Sequence, residues 1–194
     1  MKGISPVLSY VLIIAIVVII SIGSYLWADY SQRQFKDKLI VKDMENQMVG
    51  LDALIQEVAH GDINYTITHT VYYQTGTLRV EADKDWIMYI TQANSEIYQT
   101  ISASEDATDS CTSSSVTILD SDTQIKMARI PFTNVYRGAS GNELGQRVEI
   151  VACFPDIDIT VGEGCIGKSG PSSRVIIKKI GYSGTKPVVQ VGVC

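Results

Sequence analysis

Between residues 3 and 28 the sequence contains no Asp, Glu, Lys or Arg. At ~1.5 Å per residue, a helix of that length exceeds the ~30 Å hydrocarbon core of a bilayer, so the absence of charge excludes an ordinary soluble N-terminus. Histidine is scarce as well, with two in 194 residues, and no two cysteines are spaced as CxxC. A zinc site is therefore not expected. Basic clusters are missing: none exceeds "IKKI", and 16 Lys and Arg are outweighed by 21 Asp and Glu for a formal net charge of −5. Phosphate binding needs a basic surface, so nucleic acid is set aside as a partner. Signs of an enzyme are also lacking. No Ser, His and Asp arrangement is supported by spacing, "SEDATD" lacks the ligand pattern of a calcium loop, and His60 and His69 read as structural. No catalytic residue, metal or cofactor is expected.

One stretch looks like an exception. Residues 162–169, "GEGCIGKS", satisfy the phosphate-loop pattern G-x-x-x-x-G-K-[ST] and follow a candidate strand, "IDITV". That chemistry needs a helix starting at the Lys-Ser pair, so that its N-terminal N–H groups face the phosphates. Here Gly170 and Pro171 stand where the helix should propagate. The stretch reads as a Gly-rich loop fixed by Cys165.

What is present divides into a helix and a set of strands. Beyond Ala28 the sequence stays free of proline as far as "HGD", and Val41, Met44, Met48, Leu51, Ile55 and Val58 recur at steps of three and four. This is one stripe of an amphipathic helix, with Gly50 as a defect of about 1 kcal/mol and Gly61 as the expected C-terminal cap. The apolar run and the striped run join into one helix over residues 4–60. Its first part is apolar on every face and must be surrounded by lipid or by copies of itself.

From Ile63 onward the period becomes that of strands. About ten short runs rich in Val, Ile, Thr and Tyr, from "INYTITHTVYY" to "PVVQVGVC", are bounded by Gly, Pro, Asp and Ser. "VEADKDWI" reads as a hairpin, "EIYQTI" as a strand, and "SASEDATDSCTSSS" as an exposed loop. The expected fold class is α+β: one long N-terminal helix followed by an antiparallel β-sandwich-like domain over residues 61–194.

All four cysteines, Cys111, Cys153, Cys165 and Cys194, lie beyond the apolar run. An even number in an exported domain points to two disulfides, with three possible pairings. Cys194 as the last residue points to a stapled C-terminus. Asn64, Tyr65 and Thr66 form the single N-glycosylation sequon, near the junction of stem and domain.

The start of the chain places Lys2-Gly3 before Ile4-Ser5-Pro6-Val7 and the apolar run. This arrangement resembles the class III signal of archaeal type IV pilins and archaellins, over about 30 residues in detail. Leu8 stands at the fifth mature position, where bacterial type IV pilins usually carry Glu, which favours the archaeal branch. The resemblance implies that a prepilin peptidase removes residues 1–3 by cutting between Gly3 and Ile4. The hydrophobic segment 4–28 then waits in the membrane and becomes the core of a filament. It implies copies of the chain itself, an assembly ATPase and a membrane platform as partners, with the head domain on the outside of the cell serving adhesion. Small residues Ser9, Ala15, Ser21, Gly23 and Ser24 permit close approach of helices. The expected localisation is an extracellular filament, membrane-embedded as precursor.

Three alternatives remain open at the level of sequence. One is a minor pilin or pseudopilin of the same system, and another is a monomeric membrane-anchored β domain that binds a surface ligand. The third is a secreted enzyme or binding protein cut after Gly23, since Ser21 stands three positions before that cut.

Overall fold

The computed structural model describes residues 6–93, 115–120, 123–142, 145–162 and 172–194. Helix α1 (Pro6–His60) takes 55 of them, a length of about 82 Å. Pro6 opens it, where a missing N–H costs nothing. Nothing then interrupts it at Ala28, because no further proline occurs until residue 131. All six apolar residues of the stripe from Val41 to Val58 are buried. From residue 9 to residue 39 the same helix is exposed almost throughout.

The strands form two sheets around the buried half. In the larger, β2 (Thr77–Glu81), β3 (Trp86–Ala93), β7 (Gly145–Cys153), β6 (Val135–Asn142), β5 (Thr123–Arg129) and β4 (Ser115–Asp120) lie side by side in that order. In the smaller the order is β1 (Thr66–Tyr72), β9 (Ser172–Ser183), β10 (Lys186–Val193) and β8 (Asp158–Val161). The "VEADKDWI" segment makes the expected hairpin, with Glu81 opposite Trp86. Among the described strands every pairing is antiparallel except one: β8 runs parallel to β10, with Ile159 opposite Val189. Strand β9 separates the two in sequence and runs the other way, which is how a parallel pair arises here without a helix. The expected strand "EIYQTI", and the Ser/Thr-rich segment apart from Ser115, lie outside the described residues.

Alternation decides which side chains meet the helix. Ile87 and Tyr89 of β3, Val148, Ile150 and Ala152 of β7, and Val135 of β6 point inward, as do Val175 and Ile177 of β9 and Val189 and Val191 of β10. With the helical stripe they make one core, flanked on one side by each sheet. The opposite face of the larger sheet carries a second apolar cluster of Trp86, Met88, Met127, Tyr136, Val151 and Cys153.

Three charged residues anchor α1 to this core. Glu45, 1% exposed, accepts from the Arg137 guanidinium at 2.9 and 3.0 Å and from Lys42 at 2.9 Å. Two turns further on, Asp52 accepts from the Asn134 backbone N–H at 3.1 Å and from its side-chain amide at 3.3 Å. At the end of the helix the Lys179 ammonium, also 1% exposed, donates to the carbonyls of Ala59 and Gly61 and to the Tyr182 hydroxyl, each at 2.8 Å. A cation placed against the last carbonyls satisfies acceptors that an α-helix leaves orphaned and meets the negative end of its dipole.

This arrangement corrects the expected role of Gly61. Its φ is not in the left-handed region; that conformation falls to Asn64, at φ 71°. A Cβ at Gly61 would stand 2.8 Å from the Tyr65 ring, so a larger residue there would have to displace that exposed side chain.

Candidate functional site

The surface that calls for a function is the free half of α1. It contains an 18-residue window of mean hydropathy 2.6, none of it buried, and is long and apolar enough to cross a membrane. Eleven large aliphatic or aromatic residues between positions 10 and 22 are exposed on every side of the helix, from Tyr10 and Val11 to Ile20 and Ile22. A contiguous apolar surface of this kind far exceeds the few hundred Å² that a soluble monomer tolerates. Tyr10 at one end, with Tyr25, Trp27 and Tyr30 at the other, brackets the aliphatic run. Tyr10 and Trp27 are about 26 Å apart along the axis, close to the thickness of a bilayer's apolar core, and such aromatics favour its interfaces.

Within the run the Ser21 hydroxyl donates back to the Val17 carbonyl at 2.7 Å, so that donor is satisfied within the helix and does not oppose lipid or a neighbouring helix. Charge returns only past Ala28. Asp29 and Arg33 pair at 2.9 Å, both exposed, and Lys36, Asp37 and Lys38 follow. These residues form a polar collar between the apolar stem and the packed half of the helix.

Two depressions lie along the seam between helix and sheets. The first, of about 520 Å³, opens where the collar meets the domain, lined by Lys36, Leu39, Ile40, Asp43, Tyr72 and Tyr73, among others, with Tyr89 at its inner side. Tyr72 is tied to the helix by Gln47, whose carbonyl oxygen accepts from the Tyr72 N–H at 2.7 Å. The Tyr89 hydroxyl is held above its usual pKa by burial, an effect partly offset by its hydrogen bonds to Thr91 and Thr75. The second depression, about 550 Å³, lies at the far end of the helix between Gln56, Glu57, His60, Asp62 and Tyr65. There the Tyr65 hydroxyl donates to Glu57 at 3.0 Å, and that hydrogen bond and the nearby negative charge raise its pKa. Among the described residues no group of His, Cys, Asp and Glu side chains could hold a metal ion.

The residues singled out by sequence are scattered rather than convergent. Gly3 and Ile4, at the expected cleavage point, lie outside the described residues, as do Cys111, Cys165 and the Lys and Ser of the "GEGCIGKS" loop. Cys153, at the end of β7, and Cys194 both take part in disulfides. Cys194 is also held by its backbone, exchanging N–H to carbonyl hydrogen bonds with Arg174 at 2.8 and 2.9 Å. Asn64 is exposed beside the end of the helix, and the Thr66 hydroxyl of its sequon donates to the Asn64 carbonyl at 3.1 Å. His69 is half-buried in β1, and the His60 ring meets the Gln56 carbonyl at 2.7 Å.

Sequence reasoning missed Phe132. It stands at the tip of the β5–β6 hairpin, wholly exposed, at φ 63°. The adjacent Pro131 was a turn signal, but nothing local marked the conformation of the residue after it. Compared with protein-family models, with curated proteins and with solved structures, the chain finds no match in any of the three.

Proposed function

We propose that the chain is a structural subunit of an extracellular type IV pilus-like filament of the archaeal kind, serving adhesion or surface attachment. In this reading a prepilin peptidase cuts between Gly3 and Ile4, and the mature helix waits in the membrane. Copies then leave the lipid together by exchanging lipid contacts for one another, driven by an assembly ATPase through a membrane platform. Residues 4–28 form the filament core, and the β domain with Asn64 faces outward.

The observation that carries this reading is the unbroken helix, one half in the core of its own domain and the other half bare. A bare apolar helix held rigidly on a folded head has its position and rotation set by that head. Stacking such units side by side therefore gives one repeated arrangement of heads rather than a disordered aggregate. A simple tether has no need of this continuity.

Intact mass of the mature protein, taken from cell-surface material with and without reduction, tests the proposal. Loss of Met1, Lys2 and Gly3 alone, in a fraction that contains filaments by electron microscopy, is the expected result. An intact Met1, or removal of the whole apolar run, would overturn it in favour of an anchored or secreted β domain.

A further inference from the structure

The β5–β6 hairpin pairs a strained backbone with a bare aromatic ring. The Ile130 carbonyl accepts from the Thr133 N–H at 3.3 Å, closing a turn around Pro131 and Phe132. Proline fixes a negative φ at the first central position, and Phe132 has φ 63° at the second, which together make a type II turn. That second position belongs to glycine, because a side chain there crowds the backbone. Here it carries Phe, 107% exposed and therefore without intramolecular packing to offset the strain.

The hairpin is also braced. Arg129 donates to the Thr133 carbonyl at 2.6 Å and to the Asn134 side chain at 3.0 Å, Thr133 bonds back to Ile130 at 2.9 Å, and Asn134 is tied to Asp52 of the helix. Rigid presentation of an aromatic lowers the entropy lost when it is buried by a partner.

The seam groove lies on the other flank of α1. Each helical residue turns by about 100°, so Asp43, at the groove, and Glu45, bonded to Arg137 beside the hairpin, face nearly opposite ways. Lys36, Ile40, Asp43 and Gln47 follow the groove side at steps of four, three and four; Glu45 and Asp52 follow the hairpin side. A knob and a pocket on opposite flanks cannot meet within one chain. Between copies they make a head-to-tail contact, which propagates without closing into a dimer.

We infer that Phe132 of one subunit docks in the groove formed by Lys36, Leu39, Ile40, Asp43, Tyr72 and Tyr73 of a second copy, linking successive head domains alongside the stem contacts. Arg129, exposed next to the knob, brings a positive charge towards Asp43, which shares the groove lining with Lys36. The knob lies level with Asp52 and the groove near Ile40, so the joined copies are offset along the axis by on the order of 20 Å. This inference rests on the filament reading.

Two variants of the full chain test it. Phe132→Gly removes the ring and the strain together. It should raise the concentration needed for assembly by about ten-fold, the loss expected for a buried Phe, while the detergent-dispersed chain melts no lower than wild type. In Leu39→Cys, the introduced thiol should react with a bulky maleimide in detergent and be protected in filaments. Wild-type assembly of Phe132→Gly overturns the contact and leaves polymerisation through the helix standing. So does equal reactivity of the Leu39→Cys thiol in both states, which would mean a groove open to solutes. A wild-type chain that stays monomeric outside detergent overturns both.

Discussion

The two halves of α1 are continuous in backbone and opposite in surroundings. Met48, Leu51 and Ile55 are wholly buried, whereas Ile16, Ile19 and Ile20, equally apolar, are about half or more exposed. The difference lies in what accompanies them. In the second half the apolar residues form a stripe and the rest are polar, so one sheet-lined cleft satisfies them and water satisfies the remainder. In the first half every face is apolar, and among the described residues nothing of the head domain covers it. The pattern of apolar residues, rather than their number, thus separates a segment that folds within its chain from one whose partners lie outside it.

The sharpest test of that separation is a charge in the bare half. Ile16→Asp should abolish filaments, because a carboxylate on a helix surrounded by apolar neighbours costs about 3 kcal/mol or more for each subunit. The thermal transition of the head domain, followed in detergent-dispersed protein, should not move. Electron microscopy and a melting curve on the same preparation check both halves of the expectation, and normal filaments would refute the helical-core arrangement.

Truncations without charge make the same comparison in smaller steps. Leu51→Ala leaves a cavity in the core of the head and should cost about 3 kcal/mol, lowering its melting temperature by on the order of 10 °C. Ile19→Ala removes a similar side chain from a position 69% exposed. It should leave that transition unchanged and weaken assembly alone. If the two variants had similar effects on melting, the halves would not be energetically separate.

At the junction with the sheets, Lys179→Met asks how much of the helix's attachment is polar. The substitution preserves most of the side-chain volume and leaves the Ala59 and Gly61 carbonyls without their donor. A loss of about 2 kcal/mol in denaturant unfolding is expected, since buried acceptors left unpaired keep their desolvation penalty. A neutral result would mean that water replaces the ammonium.

Local periodicity made much of this legible. The stripe from Val41 to Val58 could be read residue by residue because a helix repeats its face every three or four positions, and the β2–β3 turn was marked by Asp and Lys between apolar runs. Contacts distant in sequence were not legible. Lys179 reaches a helix end about 120 positions earlier, and "IKKI" gives no sign of which lysine turns inward. Strand order and the parallel β8–β10 pair depend on crossovers that no local pattern encodes. Gly61 showed the limit of a correct signal, since it follows the last helical residue as expected but without a left-handed backbone. At the stem the limit is of another kind: the sequence shows that the segment must be covered, and among the described residues nothing covers it.

Gly50 offers the finest distinction. It sits in the packed half on the exposed side of the helix, and a Cβ built there meets nothing within 4 Å. Gly50→Ala should therefore stabilise the head by about 1 kcal/mol, by lowering the backbone entropy of the unfolded chain without changing any contact. Denaturant midpoints for the dispersed protein measure this directly. The effect on filaments decides a further point. If position 50 faces solvent in the assembly as well, the variant assembles as wild type does and is simply more stable. If a neighbouring copy packs closely against that face, the added methyl group raises stability in detergent and lowers assembly. Because the two readouts then move in opposite directions, one substitution maps how far along α1 the contacts between copies extend.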